Sequence, residues 1–277
     1  MDEQINHGVI LGQRPEDWVA GSVSGLTYEV INPSGDWRPY LPTKEIQFGR
    51  EDSMACVSFS LINAIEIQEK FLTGKETNYS DRFLAKRSDT TQFGNYLYKV
   101  ADVVRKEGIV KETSYPTLPN YTFAEYYAEI KEPLLTDLLI EGKQWLERFT
   151  FNYEFIPLDK AELLKHIKQA PLQVVIPGHA VVGFLCEQDI INYFDTYSPH
   201  EKTTPYSMVQ AVLKPVLKLK NMTNVKLIKN GSEFAYYVPA TSEEALIDKA
   251  LNFGYPLPTL DNGKRVDWSK IKPDFTL

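Results

Sequence analysis

The stretch ACVSFSLINAIEIQEKFL, residues 55 to 72, decides how this chain reads. Val57, Leu61, Ala64, Ile65, Gln68 and Phe71 recur at spacings of three and four, the period that lines one face of an α-helix. Asp52 or Ser53 stands where a helix cap belongs, and Gly74 follows the end. Cys56 therefore falls in the first turn of a helix, where the positive end of the macrodipole favours a thiolate. An unpaired cysteine in such a helix is ordinarily a small buried hydrophobe, so the stretch fixes a position and leaves its use open.

Three more helices are predicted downstream. The first runs from about Asn95 to Glu107, with Leu97, Val100, Val103 and Val104 as its stripe and Gly108 at the stop position. The second runs from about Pro133 to Phe149. The third is AELLKHIKQA, with Asp159 as cap and Glu162 three residues on in a capping-box arrangement. His166 reads as lying on the polar side of that helix. After Pro171 the texture changes to LQVVI, HAVVGFL and IINYFD, read as adjacent antiparallel strands. Helices first and strands later is the α+β pattern. From about Ser207, NVKLIK and EFAYYV read as a hairpin around Asn230-Gly231, followed by a short helix through SEEALIDKAL. The chain divides accordingly into an N-terminal extension (1–35), a main domain (36–206) and a small appendage (207–277). Between Gln210 and Ser232 five lysines and no acid read as a solvated strand face.

Composition bounds the function. The 277 residues are 43% hydrophobic and 24% charged, enough for one sizeable core. Thirty basic against 37 acidic side chains, a net charge of −7, argue against a general nucleic-acid binder. Neither a secretory leader nor a membrane-length apolar run is visible. Two cysteines cannot form a disulfide framework, which fits a reducing, cytoplasmic setting. No phosphate-binding Gly-rich loop, dinucleotide fingerprint, nucleophile elbow, metalloprotease helix or paired zinc knuckle occurs.

His179 opens a predicted core strand directly after Pro177-Gly178. Alone, such a histidine is ordinarily structural. With Cys56 it has a chemical logic: a thiolate needs a base and acid nearby, and a third group must fix the ring. Asp195, sixteen residues on at the end of the next strand, is returned beside His179 by an antiparallel hairpin.

These residues resemble the papain-like cysteine peptidases, in a divergent phage or bacterial-type form. ACVSFSLINAIE is similar to that family's nucleophile helix, HAVVGFL to its histidine strand, and YFDTYSP stands at its Asn-bearing segment. GIVKETSYP (108–116), QAPLQVVI and Asp36-Trp37-Arg38 match in order. The separations Cys56 to His179, 123 residues, and Cys56 to Asp195, 139 residues, agree with papain-type spacing. The resemblance implies a helical subdomain packed on an antiparallel sheet or barrel, with the active groove between them. It implies a thiol peptidase with Cys56 as nucleophile, His179 as base and acid, and Asp195 as orienting group. No metal or organic cofactor is expected; the partners are peptide or protein substrates, with neither nucleic acid nor membrane and possible docking through the C-terminal segment.

The departures are specific. The family's oxyanion glutamine lies six residues before the cysteine, where Arg50 stands; Gln47, nine before, is taken as the donor across a local insertion. Asp195 replaces an asparagine, Tyr197 a tryptophan, and Ser53 the cysteine of a family disulfide. Gly94, in Phe93-Gly94-Asn95, is placed where substrate backbone pairs, and Gly178 and Tyr197 border the same groove. Cys186 is a core thiol. The extension of about 35 residues is shorter than the family's inhibitory propeptides, so no zymogen is expected. The alternatives are a non-catalytic binding or virion protein on this fold and a related Cys-His-Asp amidase or acyltransferase.

Overall fold

The computed structural model describes residues 6–20 and 30–220, and the backbone of two further strands, 225–229 and 232–236. The chain forms two compact units, Met1–Phe71 with Lys75–Lys218, and Leu72–Gly74 with Leu219–Leu277.

The first unit is built around α1, Cys56–Thr73. Every residue from Cys56 to Glu69 is buried. The stripe that predicted the helix is thus only part of what the fold covers, and the polar residues of the other faces are absorbed internally. Ser60 Oγ donates to the Cys56 carbonyl at 2.7 Å. Gln68 donates to the Ala64 carbonyl at 3.0 Å and accepts the Leu217 amide at 3.0 Å. Neither Asp52 nor Ser53 caps α1: the Asp52 carboxylate turns to the Met54 amide and to side chains described below, and Ser53 Oγ is buried without a partner.

Four further helices follow before the main strands: α2 (Asp81–Arg87), α3 (Leu97–Glu107), α4 (Phe123–Tyr126) and α5 (Leu134–Arg148). The short α2 was not predicted; its Ser80 cap accepts the Phe83 amide. Gly108 ends α3 at φ +78°, and its N–H returns to the Val104 carbonyl. It is also pressed against α5, since a Cβ there would lie 1.9 Å from the Gly142 carbonyl oxygen. Two glycines thus let the end of α3 abut α5.

The strands are β1 (Phe149–Phe155), β2 (Leu172–Ile176), β3 (His179–Cys186), β4 (Ile190–Phe194), β5 (Glu201–Pro205) and β6 (Ala211–Leu219). With α6 (Lys160–His166) between β1 and β2, they form one sheet in the order β1-β6-β2-β3-β4-β5. The ladders of β2, β3, β4, β5 and β6 are antiparallel. The predicted β2, β3 and β4 are central; β1, β5 and β6 were not read. β5, EKTTP, is a charged edge strand, and β6 carries Pro215 and two lysines, which mask a strand pattern. Because β6 pairs with β2, residues 211–219 belong to this sheet, and the boundary expected at 207 moves to about 219.

Lys214 of β6 corrects the solvated-face reading. It is 3% exposed, donates to His166 Nδ1 at 3.0 Å, and pairs with Glu154 and Gln169. His166 is itself fully buried rather than on a polar face. Its Nδ1 accepts from Lys214, which leaves Nε2 to donate to Glu162 at 3.1 Å. Burial, and then the Lys214 charge, lower the pKa of this histidine.

The second unit contains the predicted hairpin: β7 (Val225–Lys229) pairs antiparallel with β8 (Ser232–Tyr236). The helix expected through SEEALIDKAL lies outside the described residues. Among the described residues no helix is long and apolar enough to cross a membrane.

The two halves of the first unit are tied by Gln173 on β2, fully buried, whose Nε2 donates to the Val57 carbonyl at 2.8 Å and to Ser60 Oγ at 2.9 Å. Replacing Gln173 by Ala removes both hydrogen bonds that tie β2 to α1 and leaves a void in their place. A loss of roughly 1–3 kcal/mol is expected, read as a lower urea midpoint with an unchanged m-value.

Candidate active site

Gln173 seats the first turn of α1 against the β2–β3 hairpin. There the Ala180 amide donates to the Cys56 thiol, and Cys56 is fully buried. Pro177-Gly178 forms a two-residue turn that places His179 opposite Ile176, with Gly178 at φ +72°. β4 returns antiparallel, with Phe194 opposite Val182, so Asp195 comes back to His179. The ring's Nε2 and Asp195 Oδ1 are 2.8 Å apart.

Asp195 is held on every side. Its Oδ1 also accepts the Tyr197 amide at 3.1 Å, and Oδ2 accepts Lys202 Nζ at 2.7 Å from β5. Burial pushes this carboxyl up, but the hydrogen bonds and charges of His179 and Lys202 outweigh it and hold the pKa below the ordinary value. Lys202 was not singled out in the sequence, because a lysine in a charged edge strand is usually solvated. Tyr197 packs on the His179 ring, centroids 5.4 Å apart. It covers the His179–Asp195 pair, while its hydroxyl donates to Asp52 Oδ2 at 2.5 Å. His179 Nδ1 is buried and makes no hydrogen bond.

Asp52 is the site residue the sequence reading missed. It collects Gln47 Nε2 at 2.8 Å, the Met54 amide at 2.8 Å, the His7 ring at 2.9 Å and the Tyr197 hydroxyl. Burial raises its pKa, and these hydrogen bonds more than reverse that, so it is charged at neutral pH. The only signal for it was an acid four residues before the cysteine, and that was read as a cap. Gln47 is fully buried beside it. Arg50, at the family's expected glutamine position, is exposed instead and bonds to Asn120 and Glu125.

Residues 6–10 lie across this arrangement. The His7 amide donates to the Gly178 carbonyl at 2.7 Å, and the His7 carbonyl accepts Gln47 Nε2 at 2.9 Å. Both amide hydrogens of Gln47 are thereby in use. The His7 ring stands 5.1 Å from that of His179 and 4.6 Å from that of Tyr197. Beyond it, Asn95 donates to the Gly8 carbonyl at 3.0 Å and accepts the Ile10 amide at 2.9 Å. Gly94, expected to pair with substrate backbone, instead closes a turn with Thr91, using both its N–H and its C=O. Its own contribution is space, since a Cβ at Gly94 would fall 2.0 Å from the Gly8 carbonyl oxygen. The backbone that pairs with an extended segment is that of the next residue, Asn95.

In this state the thiol is not activated. Burial, above all, and the charges of Asp52 and Asp195 push the Cys56 pKa far above the ordinary thiol value, against the donated amides of Ala180 and Val57. Cys186 lies in β3 at 7% exposure, its pKa pushed up to about 12 by burial.

The depressed pKa of Asp195 has a sign. A carboxylate whose folded pKa lies below its unfolded value of about 4 stabilises the fold above that value and loses the contribution as pH falls through the folded pKa. Thermal melts of the wild type and Asp195→Asn should differ at pH about 6 and converge towards pH about 3. A gap independent of pH would mean that the Asp195 charge does not stabilise the fold.

No protein-family model and no curated protein matches the sequence. Solved structures do match. Xylellain, a cysteine protease from Xylella fastidiosa, aligns with a TM-score of 0.58 at 14% identity, over 77% of this chain and 97% of that one. Digestive procathepsin L 3 of Tenebrio molitor larval midgut aligns at 0.55 and 17%, over 77% of each chain. The ragweed pollen allergen Amb a 11, a cysteine protease in its proform, aligns at 0.50 and 17%, over 71% of this chain and 68% of that one. The likeness is one of fold: this chain is built on the α+β fold of the papain-like cysteine proteases.

Proposed function

We propose that the protein is a cysteine peptidase that hydrolyses peptide bonds through a thiol acyl-enzyme and is held latent by its own residues 6–10. The observation that carries the reading is the His179–Asp195 pair at 2.8 Å, its remaining ring nitrogen unpartnered, on the strand whose next amide touches a helix-terminal thiol. His179 Nδ1 takes the Cys56 proton as sulfur attacks the scissile carbonyl carbon. The same nitrogen then protonates the leaving amine, and water hydrolyses the thioester by the reverse exchange. Asp195, clamped by Lys202, holds the ring through Nε2. Gln47 supplies an oxyanion donor, a contribution of about 3–4 kcal/mol in other acyl-transfer enzymes. Extended substrate meets the Asn95 backbone and the Gly178 carbonyl, with Gly94 giving room and Tyr197 forming one wall.

Latency follows from the same contacts. The His7 carbonyl occupies the Gln47 amide, and its ring covers His179. Withdrawing the segment returns the Gln47 donor and opens the thiol to solvent, which removes the main cause of its raised pKa. Two of the solved neighbours carry pro-segments in their own descriptions, a procathepsin and a proform. This reading departs from the expectation of no zymogen, because five residues suffice to reach Asn95, Gly178, Gln47 and Asp52.

The second reading, a non-catalytic protein on this fold, is favoured by the missing hydrogen bond to His179 Nδ1. Catalytic hydrogen bonds often tighten only when substrate is bound, and one experiment separates the two readings. Gly8→Val unseats the segment without deleting it, since a Cβ there would lie 2.0 Å from the Met54 carbonyl oxygen. Iodoacetamide labelling near pH 7, followed by mass spectrometry, should modify Cys56 in Gly8→Val and in a chain lacking residues 1–12 much faster than in the full chain. Cys186 should stay inert, and both variants should cleave a casein substrate. Folded variants in which Cys56 labels no faster than Cys186 would sink the peptidase reading.

A further inference from the structure

The contacts of His7 fall into two sets, one from its backbone and one from its ring. The backbone stands where substrate backbone would: its N–H donates to the Gly178 carbonyl at 2.7 Å, and its C=O accepts Gln47 Nε2 at 2.9 Å. That carbonyl marks the place of the scissile carbonyl. The ring lies 5.1 Å from that of His179 and 4.6 Å from that of Tyr197, and its Nδ1 meets Asp52 Oδ2 at 2.9 Å. His179 is the group that hands a proton to the leaving amine. A side chain lying against it therefore occupies the room of the residue that supplies that amine, the one directly after the bond to be cut.

Asp52 brings a charge to that room, and nothing fixed in the domain neutralises it. Its Oδ1 accepts Gln47 Nε2 and the Met54 amide, and its Oδ2 accepts the Tyr197 hydroxyl, all neutral donors. Among the described residues the one basic side chain paired with Asp52 is that of His7. Asp195 differs, because Lys202 Nζ sits on its Oδ2 at 2.7 Å. The Asp52 side chain is only 17% exposed, and its hydrogen bonds outweigh burial and keep it ionised. Withdrawing residues 6–10 frees one acceptor position on Oδ2 and leaves the charge half-buried. An ammonium, guanidinium or imidazolium arriving there makes a charge-assisted hydrogen bond, whereas a second carboxylate is repelled.

We propose that Asp52 selects substrates with a basic residue directly after the scissile bond, its Oδ2 taking from that lysine, arginine or histidine the hydrogen bond it takes from His7. The inference rests on the peptidase reading and adds a substrate class to it. Selection engages Oδ2 alone, so Gln47 stays fixed on Oδ1 as the oxyanion donor. His7 is then the chain's own stand-in for the preferred side chain. The segment covers the site with the group that the site is built to hold.

Cleavage of a peptide library by full-chain Gly8→Val, varied on both sides of the scissile bond and read by mass spectrometry, tests this. Lysine, arginine or histidine directly after the cleaved bond should raise kcat/KM roughly tenfold or more over glutamine, with glutamate worst. Raising the salt should shrink the preference, and Asp52→Asn in the same background should abolish it. A readout free of hydrolysis comes from single substitutions in the latent chain. There His7→Lys should keep Cys56 shielded from iodoacetamide, and His7→Glu, facing Asp52, should label much faster. Cleavage without a basic preference at that position, a preference that survives in folded Asp52→Asn or is indifferent to salt, or equal labelling of the two His7 variants overturns the proposal and leaves the peptidase reading standing. A folded Gly8→Val chain that cleaves no peptide overturns both.

Discussion

The seating of one helix terminus on one hairpin governs the site. Gln173 is buried between β2 and α1, and its amide is shared by the Val57 carbonyl and Ser60 Oγ. Those acceptors lie one and four residues after Cys56, so the contact sets both the height and the rotation of the first turn. With α1 so placed, the Ala180 amide meets the sulfur, and the hairpin that supplies Ala180 supplies His179 beside it. Everything further out, from Asp195 returning on β4 to Lys202 reaching across from β5, orients that one ring. A shift of α1 by a fraction of an ångström would cost the hydrogen bonds of a fully desolvated amide, which is why a polar residue sits in this core at all.

Charge explains why the arrangement rests in an unreactive state. Asp52 and Asp195 are both held ionised near a buried thiol, and both raise its pKa. Asp195 is balanced by His179 and Lys202, whereas Asp52 is balanced by neutral donors and the His7 ring. The same acid therefore anchors the segment that covers the site and opposes the thiolate. Losing His7 would expose both the sulfur and Asp52 to water, where their repulsion is screened. On the proposed reading, latency and activation depend on a few hydrogen bonds from a short stretch of chain, without rearrangement of the domain beneath.

The sequence was most legible where period and punctuation agreed. α1, α3 and α5 lie within two residues of their predicted limits, α6 stops four residues short of its predicted end, and Asp159 accepts the Ala161 and Glu162 amides as a cap should. β2 and β3 were plain because burial on both faces makes them nearly continuous apolar runs, and β4 because it is rich in β-branched and aromatic residues. What failed to show was an element whose composition answers to tertiary partners: α2 with buried Asp81 and Arg82, β5 with its charged edge, and β6 with the buried Lys214 and Pro215. Lys214 and His166 were misplaced on solvated faces for the same reason, since a polar residue whose partner lies tens of residues away cannot be told from a surface one.

Among the site residues, Cys56, His179 and Asp195 were identifiable from the chain alone because each sits at an element boundary. A helix start, a strand start and a strand end are local properties, and the hairpin spacing makes the last two neighbours. Gln47, Asp52, Lys202 and the covering segment were decided only by the tertiary structure. Their positions depend on which face of a loop or edge strand turns inward, and no periodicity records that choice. The sequence by itself determined where the candidate triad of Cys56, His179 and Asp195 would stand. Only the fold decided that a histidine 49 residues ahead of the cysteine would lie upon it, because its segment is held by Gln47 and Asp52, by Asn95 and by Gly178, from three separate stretches of chain.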